Sequence, residues 1–105
     1  MKLMLFVSSG CPHCPKAEAA VSRVLPEYSG HGVEFEKVRT RTSEGKELSA
    51  RYGIRGLPTI LMIDDEGNEL KRIVGAPSDD NLKGKIEGAL GLKKGLFSRV
   101  FGGRK

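Results

Sequence analysis

Leu3-Met4-Leu5-Phe6-Val7 is an apolar run with no polar position inside it. A strand of that kind has no face to give to water, so it belongs inside a sheet covered on both sides. The run stops at Ser8-Ser9-Gly10. From Pro12 to about Tyr28, the apolar residues Ala17, Ala20, Val21, Val24 and Leu25 recur at helical spacing. Pro15 falls in the first turn of this helix, where a missing N–H is tolerated. The two cysteines of the chain, Cys11 and Cys14, sit at the strand-to-helix junction as Cys11-Pro12-His13-Cys14.

The remaining elements follow from changes of period. Gly30-His31-Gly32 breaks the chain, and Val33 to Val38 alternates apolar and charged residues, the pattern of a strand with one face buried. Ser43 is the expected N-cap of a second helix that carries Leu48 and ends near Tyr52-Gly53. Thr59 to Ile63 is a second buried strand, opened by Pro58. Asp64-Asp65-Glu66-Gly67-Asn68 is a turn, and Leu70 to Val74 pairs back as a hairpin. After Gly75-Ala76-Pro77, Ser78 or Asp79 caps a last helix with Leu82, Ile86, Ala89 and Leu90 on its apolar face. The order β-α-β-α-β-β-α implies a parallel first pair joined by a crossover and an antiparallel hairpin at one edge. The expected fold class is therefore α/β, with a mixed four-stranded sheet flanked by helices.

The chain of 105 residues is one domain by size and can form a core without disulfide staples or a structural metal. The expected domain spans residues 1–91, followed by a basic, partly amphipathic tail, 92–105. Lys93, Lys94, Arg99, Arg104 and Lys105 account for the whole net charge of +5, so charges in the body balance and no nucleic-acid partner is implied there. In the tail, Leu92, Leu96, Phe97, Val100 and Phe101 fall on one helical face. The tail reads either as further helix against the body or a frayed terminus, or as a short amphipathic segment that binds an anionic membrane surface or an acidic partner. The first apolar run is too short for the core of a signal peptide, and no run approaches the ~20 residues of a membrane span. A cytoplasmic setting is expected, where thiols stay reduced and a Cys-x-x-Cys pair is more often catalytic than structural.

A structural disulfide between Cys11 and Cys14 would close almost no loop and stabilise little. Zinc would require more ligands than two cysteines and two histidines supply here, with His31 in a distant glycine-flanked turn. Neither a metal nor a bound cofactor is expected. Reversible disulfide chemistry needs two thiols able to meet and one partly ionised near neutral pH. Cys11, expected at the helix N-cap or first position, faces unpaired N–H groups that favour its thiolate, while Cys14 lies further in. Cys11 is then the attacking thiol and Cys14 the resolving one. Pro12 stiffens the turn. His13 either tunes the Cys11 thiolate or is simply a polar residue at a helix start. The Leu57–Pro58 bond is cis or trans on periodicity alone.

The chain resembles the thioredoxin superfamily over about residues 2–91. Three motifs carry the resemblance: Cys11-Pro12-His13-Cys14 after a first strand, Tyr52-Gly53-Ile54-Arg55-Gly56-Leu57-Pro58-Thr59, and Val74-Gly75-Ala76. The resemblance implies a thioredoxin-like fold and a thiol–disulfide oxidoreductase. It also implies that Pro58 is cis and packs against the dithiol, that Leu57 offers its backbone to substrate, and that Thr59 completes this groove. The implied partners are protein disulfides and a dedicated thioredoxin-type reductase, with the enzyme acting as a monomer in electron transport and redox homeostasis. There are departures. Gly10 precedes Cys11, the chain has no Trp, and Pro-His between the cysteines is the dipeptide of periplasmic disulfide oxidases. Ser78-Asp79-Asp80 resembles part of a glutaredoxin glutathione-binding turn but lacks its flanking Gly-Gly. A glutathione-linked reductase and a redox-switched binding module using the basic tail are the alternative readings.

Overall fold

The computed structural model describes residues 1–91; the tail read as 92–105 lies outside the described residues. The elements are β1 (Lys2–Val7), α1 (Cys14–Val24), a 3-10 segment (Leu25–His31), β2 (Glu34–Arg39), α2 (Ser43–Tyr52), β3 (Thr59–Ile63), β4 (Glu69–Val74) and α3 (Asp79–Leu90). They form one mixed sheet in the order β2-β1-β3-β4. β1 runs parallel to β2 and antiparallel to β3, and β4 closes the hairpin on β3.

The sheet separates two apolar clusters. Leu3, Leu5, Ile60 and Met62 face α1 and α3, where Ala17, Val21, Leu82 and Ile86 complete one cluster. Met4, Phe6, Leu61 and Ile63 point the other way with Val38, against Leu48 and Tyr52 of α2. β1 and β3 are thus buried along both faces, as their apolar runs require. Truncating one of these core side chains to Ala would cost about 2–5 kcal/mol.

Polar contacts fasten the helices. Thr59 opens β3 with its hydroxyl donating to the Gly56 carbonyl. The Arg23 guanidinium meets the Asp79 carboxylate through two bonds of 3.0 Å, and this pairing holds that carboxyl below its usual pKa. The buried Tyr28 donates its hydroxyl to Glu87 at 2.7 Å. Burial first, and then this bond, push the phenol pKa well above its ordinary value. In the β3–β4 turn the Asp64 carboxylate accepts from the backbone N–H groups of Asn68 and Glu66 at 2.8 and 2.9 Å, which lowers its pKa.

Three elements differ from the sequence expectation. The first helix is shorter than Pro12–Tyr28: it begins at Cys14, ends at Val24, and passes at Leu25 into the 3-10 segment, with Pro26 in its first turn. β2 buries only Val38, while Phe35 remains 43% exposed. β2 is an edge strand, bonded to β1 alone, and Lys37, two residues from Phe35, pairs with Glu18 of α1 at 3.1 Å. The N-cap of α2 is Thr42 rather than Ser43. Its hydroxyl accepts from the Gly45 N–H and donates to the Arg39 carbonyl, both at 2.9 Å. At α3 the cap is Ser78, which accepts from the Asn81 N–H.

Gly45 sits where α2 meets the end of β2. A Cβ there would overlap the Arg39 carbonyl and stand 2.9 Å from the Thr40 Cα, both of them backbone. Gly45→Ala is therefore expected to lower stability by about 1–3 kcal/mol, as overpacking does. Urea denaturation checks this, and an unchanged midpoint would show that α2 is free to move off β2.

Candidate active site

The dithiol hangs from the end of β1. After Val7 the chain turns through Ser8-Ser9-Gly10, and the Cys11 N–H donates to the Ser8 carbonyl at 3.3 Å. Cys11 and Cys14 are joined by a disulfide, with their Cα atoms 5.4 Å apart. The two cysteines are unequal. Cys14 is the first residue of α1 and only 5% exposed, whereas Cys11 is half-buried and Pro12 and His13 are exposed.

Cys11 is neither the N-cap nor the first residue of the helix. His13 is the N-cap, and the Ala17 N–H donates to the His13 carbonyl at 3.1 Å. Pro15 supplies the physical reason. For Cys11 to cap the helix, its carbonyl would accept from the residue four positions on, which is Pro15 and has no N–H. Pro12 also disfavours helical torsions at Cys11 itself. Cys11 accordingly stands in the turn ahead of the helix rather than inside it. His13 makes no side-chain cap hydrogen bond.

The second sequence feature arrives at the same end of the sheet. Phe6 of β1 is opposite Thr59 of β3, so the segment Leu57-Pro58-Thr59 approaches the end of β1 from which the Ser8–Cys14 turn leaves. The Leu57–Pro58 bond is cis. The Pro58 carbonyl accepts from the Gly75 N–H at 2.8 Å, which ties the segment to the end of β4. Leu57 and Cys11 both pack against the α1–α3 side of the core. No backbone hydrogen bond joins the Leu57 N–H or C=O to another described residue.

A cavity of about 310 Å³ opens beside the disulfide. Val7, Cys11, Cys14 and Pro15 line it together with Lys37, Arg39 and Arg41. Sequence reasoning did not pick out these three cations. Lys37 and Arg39 come to the dithiol through the parallel pairing of β1 with β2, and Arg41 through the turn that follows β2. Among the described residues no group of three or more His, Cys, Asp or Glu side chains is placed to share a metal ion. No described helix is long and apolar enough to cross a membrane.

Comparison with known proteins agrees with this architecture. The family model for a thioredoxin-like domain matches residues 2–89. A probable thioredoxin of Archaeoglobus fulgidus is 36% identical over 81 residues, covering 77% of this chain and 80% of the relative. A thioredoxin of Methanocaldococcus jannaschii is 34% identical over 82 residues, covering 78% and 87%. Among solved structures, a Malassezia sympodialis thioredoxin superposes with a TM-score of 0.69 at 19% identity, covering 84% of this chain and 74% of that one. A structure described as that of a malarial protein gives 0.71, also at 19%, over 85% and 96%. The chain belongs to the thioredoxin-like family. With thioredoxins as relatives over most of its length and a disulfide joining Cys11 to Cys14, it is a thiol–disulfide oxidoreductase.

Proposed function

We propose that the chain reduces protein disulfides by dithiol exchange through Cys11 and Cys14. The observation that carries this reading is the inequality of the pair: Cys14 is buried at the helix start, while Cys11 is the more exposed residue. In the reduced protein the Cys11 thiolate attacks one sulfur of a substrate disulfide. A mixed disulfide forms, and the other substrate sulfur leaves as a thiolate that takes up a proton. Cys14 then gives up its proton and attacks the Cys11 sulfur. The Cys11–Cys14 disulfide closes and the second substrate thiol is released. Two electrons and two protons pass to the substrate.

The surroundings suit these roles. Cys11 lies just ahead of the positive end of α1, which favours a thiolate. Pro12 and His13 tune the poise: an exposed imidazole one residue before Cys14 stabilises the thiolate, and so the reduced form. Leu57 leaves its backbone groups for an extended substrate, with Pro58 and Thr59 shaping the groove. A thioredoxin-type reductase returns the dithiol to its reduced form in a cytoplasmic setting. The protein acts as a monomer, with residues 1–91 as the catalytic domain and 92–105 as an appended tail. Glutathione is the weaker candidate reductant, because the carboxylate of Asp79 in the glutaredoxin-like turn is already held by Arg23.

Two outcomes follow. With insulin as substrate, Cys11→Ser is expected to fall to the uncatalysed rate, and Cys14→Ser to accumulate a mixed disulfide visible on a non-reducing gel. Turnover retained by Cys11→Ser would contradict the assignment. In a redox titration against glutathione, the wild-type potential is expected to be less negative than that of His13→Gly. An equal or more negative wild-type value would remove His13 from its tuning role.

A further inference from the structure

The cavity beside the disulfide is one-sided in charge. Arg39 and Arg41 line it, both are exposed, and neither forms an ion pair with another described residue. Lys37 is already engaged by Glu18 at 3.1 Å, and Glu18 is the one carboxylate lining the cavity among the described residues. A second cavity, of about 260 Å³, lies at Thr40 and Leu57. It brings Lys46 and Arg55, and among the described residues neither has an ion pair and no carboxylate lines the cavity. The Ser49 hydroxyl, another of its lining residues, is buried without a hydrogen-bond partner. The acids Asp64, Asp65 and Glu66 occupy the β3–β4 turn at the opposite end of the sheet, beside Lys2 rather than the dithiol.

Solvated cations with no binding role need not line both cavities at the reactive end while the acids of the β3–β4 turn stand at the other. We infer that Arg39 and Arg41 form a carboxylate-binding subsite beside Cys11, so that the enzyme prefers protein disulfides whose attacked cysteine is flanked by Asp or Glu. The inference rests on the reductase reading above and adds its substrate class. The peptide backbone pairs at Leu57, the attacked sulfur meets Cys11, and an acidic side chain of the flank enters the cavity towards Arg39 and Arg41. Guanidinium groups suit this task, because their forked N–H donors match a carboxylate in two bonds. Lys46 and Arg55, on the Leu57 side, add attraction of the same sign along an approaching acidic segment.

Two disulfide-bonded peptides, identical except for Glu or Gln on either side of the attacked cysteine, test this with the full chain and a dithiol reductant. At low salt the wild type is expected to reduce the Glu peptide with a kcat/KM about fivefold above that of the Gln peptide, the scale of one or two exposed ion pairs. The ratio should approach one at about 0.5 M salt, where screening acts within a few ångströms. It should fall below one in Arg39→Glu/Arg41→Glu and survive in Arg39→Lys/Arg41→Lys in reduced form. Taking the ratio within each protein cancels any loss common to both peptides, and the salt series needs no variant at all. Equal efficiencies for the two peptides in an active wild type at low salt would overturn the subsite alone. No turnover of either peptide would overturn the reductase reading, and the subsite with it.

Discussion

Leu3 to Val7 have no free side. Their side chains alternate between two apolar clusters, and their backbone bonds to β2 along one edge and β3 along the other. Sliding this strand by one residue would exchange the contents of both clusters, so its register is held by the core on each face. Everything at the reactive end is measured from where β1 stops. The Ser8–Cys14 turn leaves from that point, β3 brings Leu57-Pro58 towards it, and β2 brings Arg39 beside it. A dithiol carried on a free loop would lack this fixed relation to its neighbours.

The same geometry makes the two cysteines different. Cys14 belongs to a helix whose inner face packs on the sheet, so its side chain is buried with Ala17 and Val21. Cys11 belongs to a turn kept out of that helix by Pro15, which cannot donate to its carbonyl. One proline thereby divides a symmetric-looking motif into an inner and an outer cysteine. On the reading proposed for the dithiol, this division assigns the attacking and resolving roles, because the outer cysteine is the more exposed to a protein substrate.

Much of this was legible in the sequence wherever a local pattern matched a local cause. Thr59–Ile63 is apolar after its first residue and is a strand with those bounds; Ser78 caps α3 through its own side chain; Gly53, at φ 63°, ends α2 where a left-handed residue is needed. The losses came where the cause was not local. Phe35 looked like a core residue because alternation marks a strand's two faces but not its place in the sheet, and β2 is at the edge. Thr42 rather than Ser43 caps α2 because the Arg39 carbonyl is within its reach. The Cys11 position could have been read from Pro15, had the missing donor been followed four residues back. The cationic lining of the cavity had no sequence signal: Arg39 and Arg41 acquire a neighbour only through the tertiary fold.

The account depends most on the inequality of the two sulfurs. Limited alkylation of the fully reduced protein with iodoacetamide, mapped by mass spectrometry, measures it directly. Modification is expected to fall on Cys11, with Cys14 protected until the protein is unfolded. Equal labelling of the two cysteines in the folded protein, or preferential labelling of Cys14, would contradict the account.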